Sequence, residues 1–184
     1  MRHITLITTG GTIEKTYNEV SGSLENTRSI VRRMLRRLRL EDTDVGIIEL
    51  MSKDSLVMTD DDRERIVDAV RAAGGGGGVG GVGGAAVSAA QPLTAGIVIL
   101  HGTDTLCTTG ERLVQALPAP RVPIVLTGAM RPFEMTRSDA LQNLTEALFA
   151  TDVRAPGIYV AAHGRCLPFP GVRKDRDRGT FVAG

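Results

Sequence analysis

Short apolar runs alternate with amphipathic stretches along most of the chain. Five runs are rich in isoleucine and valine and are bounded by glycine, proline or polar residues, namely HITLITT, VGIIELM, AGIVILHG, VPIVLTGAM and GIYVAAHG. Strands that are buried on both faces of a parallel sheet have this pattern. Between the runs, apolar positions recur at helical spacing in residues 27–40, 59–73, 108–117 and 137–150.

This alternation of strands and helices predicts an α/β fold. It is typical of a three-layer, doubly wound and mostly parallel sheet of the Rossmann or flavodoxin type. Ligands of such folds bind where the carboxyl ends of the strands meet, so polar residues just after the strands are the first candidates for a site. Two helix starts carry capping signals: Thr59 with Asp62 forms a near capping box, and Thr108 with Glu111 marks the other.

Length and composition add the domain count and the compartment. A chain of 184 residues predicts a single domain, residues 1–184. No apolar run reaches the ~20 residues that span a membrane, and the N-terminus lacks a signal-peptide pattern. The two cysteines, Cys107 and Cys166, do not make a disulfide framework. We therefore expect a reduced, cytoplasmic setting without membrane attachment.

Charge is nearly balanced, at a formal +1, but six arginines cluster in TRSIVRRMLRRLRL. Ile30, Met34 and Leu38 form an apolar stripe at helical spacing in this stretch, so the arginines are expected to face solvent. Acidic runs such as TDDDRER offset the cluster. A solvated helix face is therefore favoured over a nucleic-acid patch, and nucleic acid is not an expected partner.

One segment, AAGGGGGVGGVGGAAVSAAQP at residues 72–92, is of low complexity. A sequence of glycine and alanine cannot bury a core or fix its own backbone. We predict a flexible surface loop at about residues 74–90, and an inert insertion is favoured over a functional lid.

Polar residues follow four of the predicted strands. After the first strand, TTGGTI places Thr12 behind two glycines, which let the backbone turn sharply and let a ligand approach closely. A threonine hydroxyl can attack a carbonyl if a base takes its proton and donors hold the oxyanion. The alternative is a threonine that caps a helix or belongs to a β-turn.

A second strand end, LHGTDTL, places Thr103 and Asp104 beside Gly102. These two residues are suited to a zwitterion, because the carboxylate answers a substrate ammonium. Capping of the following helix by Asp104 or Thr105 is the alternative.

The remaining two strand ends are KDSLVMTDDD, with Asp54 and Ser55, and LTGAMRP. Neither a dinucleotide fingerprint nor a phosphate loop is present, so nucleotide binding has little support. The three histidines show no ligand spacing, and neither a metal nor a cofactor is expected. Cys107 lies near a helix start without an evident partner base, so a packed thiol is favoured there.

The blocks TTGGTIE, HGTDT and LTGAMRP, followed by SDALQNL, resemble the signature blocks of the bacterial-type L-asparaginases, in the same order. The resemblance implies the fold of the asparaginase N-terminal domain. It also implies hydrolysis of L-asparagine to L-aspartate and ammonia, with minor action on glutamine, without a cofactor and in a homo-oligomer.

The resemblance also implies roles for individual residues. Thr12 matches the nucleophile that forms an acyl-enzyme, and Tyr17 matches the tyrosine that assists it as a base. Thr103, Asp104 and Lys174 match residues that activate or orient the attacking group and help to bind substrate. Ser55 matches the residue that holds the substrate α-carboxylate. The substrate-binding set is completed by Gly11, Asp54 and Gly102.

Two departures from the family pattern leave alternatives open. Tyr17 follows Thr12 by only five residues, a shorter separation than in many members. The sequence also ends near where the first domain of the family ends, which predicts a short, single-domain form with a different oligomeric arrangement, although a fragment would look the same. An ammonia-releasing partner of a tRNA-dependent amidotransferase and a non-catalytic amino-acid-binding module are the alternative functions.

Overall fold

A computed structural model describes residues 1–76 and 94–184. The longer strands are β1 (Arg2–Gly10), β4 (Thr43–Lys53), β5 (Gly96–Leu100), β6 (Pro123–Thr127) and β7 (Gly157–Ala162). The shorter strands are β2 (Thr16–Asn18), β3 (Ser23–Glu25), β8 (Arg165–Pro168), β9 (Val172–Asp175) and β10 (Thr180–Ala183). The α-helices are α1 (Val31–Leu35), α2 (Asp60–Ala72), α3 (Leu106–Ala116) and α4 (Ala140–Val153), and two short 3-10 helices span Thr12–Glu14 and Ser55–Val57.

The largest sheet among the described residues has six strands in the order β4-β1-β5-β6-β7-β8. Its first five strands are parallel, and β8 pairs antiparallel with β7. In chain order the parallel strands are arranged 2-1-3-4-5, the flavodoxin-like order, and the winding reverses between β1 and β5. The five predicted strands and the doubly wound sheet are confirmed. The two small hairpins, β2–β3 and β9–β10, were not predicted, because strands of three or four residues show no clear apolar periodicity.

Apolar side chains on the two faces of the sheet form two separate cores, which confirms the three layers. In β5, Ile97 and Ile99 point to the core under α2 and α3, whereas Val98 and Leu100 point to the core under α1 and α4. All four side chains are fully buried. A strand covered on both faces must be apolar at every position, which explains the continuous run GIVIL.

Strand β4 differs from its prediction as a buried strand. Among the described residues it lies at the edge of the sheet and pairs with β1 alone, and none of its residues is fully buried. Ile48 is 37% exposed. The apolar run VGIIELM therefore forms an edge strand whose side chains are partly exposed. Hydropathy alone does not distinguish such a strand from a central one.

The helix starts give one confirmation and one correction. Thr59 caps α2, and its hydroxyl and the Asp62 carboxylate form the predicted reciprocal capping box. The predicted start at Thr108 is wrong, because α3 begins two residues earlier, at Leu106. The predicted helix over 27–40 is α-helical only over Val31–Leu35. No side chain caps its start at Ile30, and turns follow Leu35.

The glycine-rich segment was predicted as a loop at about 74–90, and residues 77–93 lie outside the described residues. A single domain over 1–184 stays a prediction. None of the helices in the two described ranges combines the length and the apolar character needed to cross a membrane.

Close contacts between glycines hold the strand ends together. A Cβ atom on Gly11 would lie 2.4 Å from the backbone of Gly102, and one on Gly102 would lie 2.4 Å from the Ser55 hydroxyl oxygen. The ends of β1, β4 and β5 therefore approach more closely than any side chain would allow. Gly11 also has a φ of +79°, a conformation that favours glycine.

We predict that Gly11→Ala costs roughly 3 kcal/mol of unfolding free energy, since it adds a backbone clash to the strain of a positive φ. Gly22→Ala is the matched control. Gly22 also has a positive φ, of +67°, but no atom of residues 1–76 or 94–184 lies within 4 Å of a Cβ placed there. This control should cost only ~1 kcal/mol. Equal losses in urea denaturation would show that the close approach of β1 and β5 contributes nothing.

Candidate active site

Thr12 directly follows the turn at the end of β1, where the winding of the sheet reverses between β1 and β5. This is the ligand-binding position of the topology. It begins the 3-10 helix that follows the Gly10–Gly11 turn, and Gly11 rather than Thr12 occupies the N-cap position. The Gly11 N–H donates to the Lys53 carbonyl, with 2.8 Å between the nitrogen and the oxygen, which ties the turn to β4. Helix capping by Thr12, one of the two structural alternatives, is therefore wrong. The other alternative, a turn threonine, fits the structure, because the Glu14 N–H donates to the Gly11 carbonyl at 3.1 Å and Thr12 lies inside that turn. The Thr12 side chain is half-buried.

Lys174 joins two of the predicted residues at the end of β5. Its ammonium donates to the Thr103 hydroxyl at 2.8 Å and to the Asp104 carboxylate at 3.0 Å. Lys174 comes from β9, about seventy residues along the chain, so only the folded hairpin β9–β10 brings it to this edge. The arrangement supplies a positive charge, a hydroxyl and a carboxylate at one strand end.

Arg176 is a further cation at this cluster, which sequence reasoning missed. Its guanidinium lies 3.0 Å from the same Asp104 oxygen that accepts from Lys174. The Arg176 side chain is 71% exposed, whereas that of Lys174 is 15% exposed. Lys174 is thus the fixed partner of Asp104, and Arg176 is the partner that can be displaced.

The alternative interpretation of the residues after Gly102, that Asp104 or Thr105 caps α3, is wrong. Asp104 is engaged by Lys174 and Arg176, and no side chain caps the helix at Thr105. Instead the Thr105 hydroxyl donates to the Ser55 carbonyl at 2.9 Å. This bond connects the end of β5 to the loop after β4.

Ser55 and Asp54 lie in that loop after β4, at the same edge of the sheet. Ser55 is 2% exposed and packs against Gly102. One Asp54 oxygen lies 2.7 Å from the Lys15 ammonium, and the other accepts from the Leu56 N–H. The hydrogen bond from Lys15 is the largest cause that holds the pKa of Asp54 below its ordinary value. Asp54 therefore stays ionised, and its charge is already paired with Lys15 three residues after Thr12.

Tyr17 is the predicted residue that the structure leaves apart from the others. It lies in the hairpin β2–β3, and it is 59% exposed. Its backbone N–H donates to Glu134 at 3.0 Å, and none of the hydrogen bonds among the described residues joins its hydroxyl to the cluster around Lys174. Its role as a base stays a prediction.

Glu14 is a buried carboxyl at the site that sequence reasoning also missed. It is 1% exposed, accepts from the Gly10 N–H at 3.2 Å and accepts from the Ser29 hydroxyl. Burial raises the pKa of Glu14 to about 7, although the hydrogen bond from Ser29 opposes the shift. The only signal in the sequence was an acidic residue directly behind an apolar one in TTGGTIE.

Two other titratable groups near the site are unsuited to chemistry at neutral pH. Burial lowers the pKa of His101 to about 4, and its ring is held between the Gly102 carbonyl and the Thr109 hydroxyl. Burial raises the pKa of Cys107 to about 11, which agrees with the prediction of a packed thiol. In the two described ranges no group of three or more metal-ligating side chains could hold a metal ion.

Comparison with known proteins gives a consistent picture. Residues 85–179, just over half of the chain, match the family model described as Asparaginase, N-terminal. Over 66 residues the chain is 50% identical to an L-asparaginase of Thermococcus kodakarensis, a match that covers 36% of this chain and 20% of that protein. Over 69 residues it is 42% identical to one subunit of the glutamyl-tRNA(Gln) amidotransferase of Methanococcus vannielii, a match that covers 38% of this chain and 16% of that protein.

A solved structure extends the likeness to the whole described fold. The thermostable L-asparaginase from Thermococcus kodakarensis superposes with a TM-score of 0.78 at 27% identity, covering 98% of this chain and 51% of that chain. The chain therefore spans about half the length of this solved relative.

We predict that stability falls as pH rises, because the pKa of Glu14 is higher in the folded protein than in the unfolded chain. The contribution is complete below pH 4.5 and is lost as pH rises through about 7, by roughly 3 kcal/mol. Glu14→Gln should remove this slope, since the amide can accept from Gly10 and donate to Ser29. Urea denaturation of both proteins from pH 5 to pH 8 measures it.

The control is Glu19→Gln, because Glu19 is an exposed residue of the β2–β3 connection. This control should keep the slope of the unsubstituted protein. A slope that persists unchanged in Glu14→Gln would rule out Glu14 as its source.

Proposed function

This chain belongs to the asparaginase N-terminal family, and on that premise we propose that it hydrolyses L-asparagine to L-aspartate and ammonia with Thr12 as the nucleophile. The contact of the Lys174 ammonium with Thr103 and Asp104 carries the proposal. It places a charged, hydrogen-bonded group at the strand end against which the Thr12 turn packs. Such a fixed group can orient a polar substrate without rearrangement during the reaction.

The proposed reaction has two steps. The Thr12 oxygen attacks the side-chain amide carbon, its proton passes through the base to the amide nitrogen, and ammonia leaves an ester on Thr12. Water then attacks the ester carbon, its proton returns to the Thr12 oxygen, and aspartate leaves. We assign the first base to Tyr17, a phenol that requires help from a nearby cation or a water to take the proton.

Substrate binding is assigned to the surrounding strand ends. Asp104 forms an ion pair with the substrate ammonium, which displaces the exposed Arg176 guanidinium. Ser55 holds the α-carboxylate, and Asp54 supports it from the same loop. Gly11 and Gly102 let the ends of β1 and β5 meet backbone to backbone, which sets the position of the Thr12 turn beside these groups. Minor action on glutamine, a homo-oligomeric state and a cytoplasmic setting belong to the same proposal.

A second candidate is ammonia release for a tRNA-dependent amidotransferase. The likeness over 69 residues to one subunit of such an amidotransferase favours it. In that case asparagine or glutamine hydrolysis should rise when the amidotransferase partner and its tRNA are present. Full activity of the isolated chain, unchanged by tRNA, would dismiss this candidate.

We predict that Thr12→Ala reduces ammonia release from asparagine to the background rate, since the attacking oxygen is removed. Thr145→Ala, on the exposed face of α4, is the matched control and should keep full activity. A coupled ammonia assay measures both variants, with circular dichroism to confirm the fold. Unchanged turnover in Thr12→Ala would refute the assigned nucleophile. Aspartate binding by calorimetry without any turnover in the unsubstituted protein would instead indicate a non-catalytic binding module.

A separate prediction concerns the charge of Lys174. Lys174→Met should lower kcat by about 100-fold, since it removes a fixed cation from the polar cluster. Arg173→Met removes a cation from the neighbouring, exposed position of the same strand and should change kcat by less than about twofold. Steady-state kinetics with asparagine distinguishes them. Equal losses would show that net charge, and not the contact with Thr103, is responsible.

A further inference from the structure

A cleft of about 540 Å³ lies between the hairpin β2–β3 and helix α1. We call it the arginine cleft, since four arginines line it: Arg28, Arg32, Arg33 and Arg36. Tyr17 forms part of its wall, and the hydroxyl residues of the same segments provide further hydrogen-bonding groups. The cleft therefore adjoins the loop that carries the proposed base, and it lies outside the cluster around Lys174.

The positive charge of the arginine cleft is poorly neutralised. Glu134 is the one carboxylate among the described residues that line the cleft. It is already occupied, because it accepts from the Arg33 guanidinium at 2.7 Å and from the Tyr17 N–H at 3.0 Å. Guanidiniums gathered around one engaged carboxylate leave a net positive potential in a concave site.

The other three arginines have little compensation. Arg32 has one ion pair within the described part of the chain, a long contact of 3.8 Å with Glu49, and both side chains are more than half exposed. Arg28 and Arg36 form no ion pair with any residue in the described ranges. Arg32 and Arg36 are also four residues apart, a spacing at which like charges on a helix repel. A bound anion would remove this repulsion.

Part of the arginine cleft is held in place before any ligand arrives. The Arg33 guanidinium lies 5.5 Å from the centre of the Phe133 ring, in addition to its bond with Glu134. Arg37, from the same segment, lies 5.0 Å from the same ring. Stacking and ion pairing limit the rotamers of Arg33, so binding costs less side-chain entropy there than for a free arginine.

We propose that the arginine cleft binds a small polyphosphate anion, and that the bound anion contacts the Tyr17 loop. Guanidinium groups bind phosphate oxygens through two parallel hydrogen bonds, and several of them suit a ligand with several phosphates. The volume fits a compact ligand that enters a cleft. An extended nucleic acid would need a basic stripe along the surface. The proposal does not depend on the hydrolase activity.

The first experiment measures binding of tripolyphosphate by calorimetry at low salt. Arg28→Gln with Arg36→Gln should weaken binding at least tenfold. The matched control, Arg39→Gln with Arg121→Gln, removes the same charge from exposed positions outside the cleft and should weaken it less than twofold. Equal losses in the two double variants would indicate diffuse charge attraction, as on an RNA-binding face, and would overturn the proposal.

A second arm identifies the source of the phosphates. Equal affinity for ATP and tripolyphosphate supports recognition of the phosphate chain alone, whereas tighter binding of ATP supports a nucleotide. Absence of binding for both anions would overturn the proposal.

The third arm tests contact with the Tyr17 loop without reference to activity. The chain has two tyrosines, Tyr17 and Tyr159, and no tryptophan, so tyrosine fluorescence reports on these two positions. Tripolyphosphate should change the fluorescence of the unsubstituted protein and leave that of Tyr17→Phe unchanged. An equal change in Tyr17→Phe would refute contact with the loop. Thermal unfolding of every variant confirms that each is folded.

Discussion

The site depends on the contact between the Gly11 turn and Gly102. Without side chains at these two positions, the ends of β1 and β5 meet backbone to backbone at the point where the winding of the sheet reverses. Thr12 follows the first glycine and Thr103 follows the second, so the contact fixes both hydroxyl residues relative to the sheet. Ser55 packs against Gly102 from the loop after β4, and a third strand end is thereby joined to the same point.

The charges are arranged around this contact in pairs. Lys174 and Arg176 both pair with Asp104, and Lys15 pairs with Asp54. Each carboxylate assigned to the substrate is therefore neutralised before a substrate arrives. A zwitterion can exchange with the exposed Arg176 at little cost, since the ion pair it replaces is largely solvated. The better buried Lys174 can keep its contacts with Thr103 and Asp104 during this exchange.

Local patterns were enough to predict the elements that depend on local physics. The runs of isoleucine and valine identified the five parallel strands, and the capping box at Thr59 located the start of α2. The partial exposure of β4 could not be read in this way, because it depends on the position of β4 at the edge of the sheet among the described residues. The start of α3 at Leu106 was also missed, since Thr105 at its N-cap makes no side-chain capping bond. Thr12, Thr103 and Asp104 were found because glycines precede them at the strand ends.

Site residues whose partners lie in distant segments of the chain could be identified only from the folded structure. The family motif suggested Lys174, but Arg176 has no motif of its own, and Glu14 acts through a partner fifteen residues away. Glu14 and Ser29 close the base of the segment between them, which carries Tyr17 and one side of the arginine cleft. Glu134 holds the same segment through the Tyr17 backbone. The position of the proposed base is thus set by two carboxyl groups, one buried and one facing the arginines, and an anion that competes with Glu134 for Arg33 would act on Tyr17 through a contact already present.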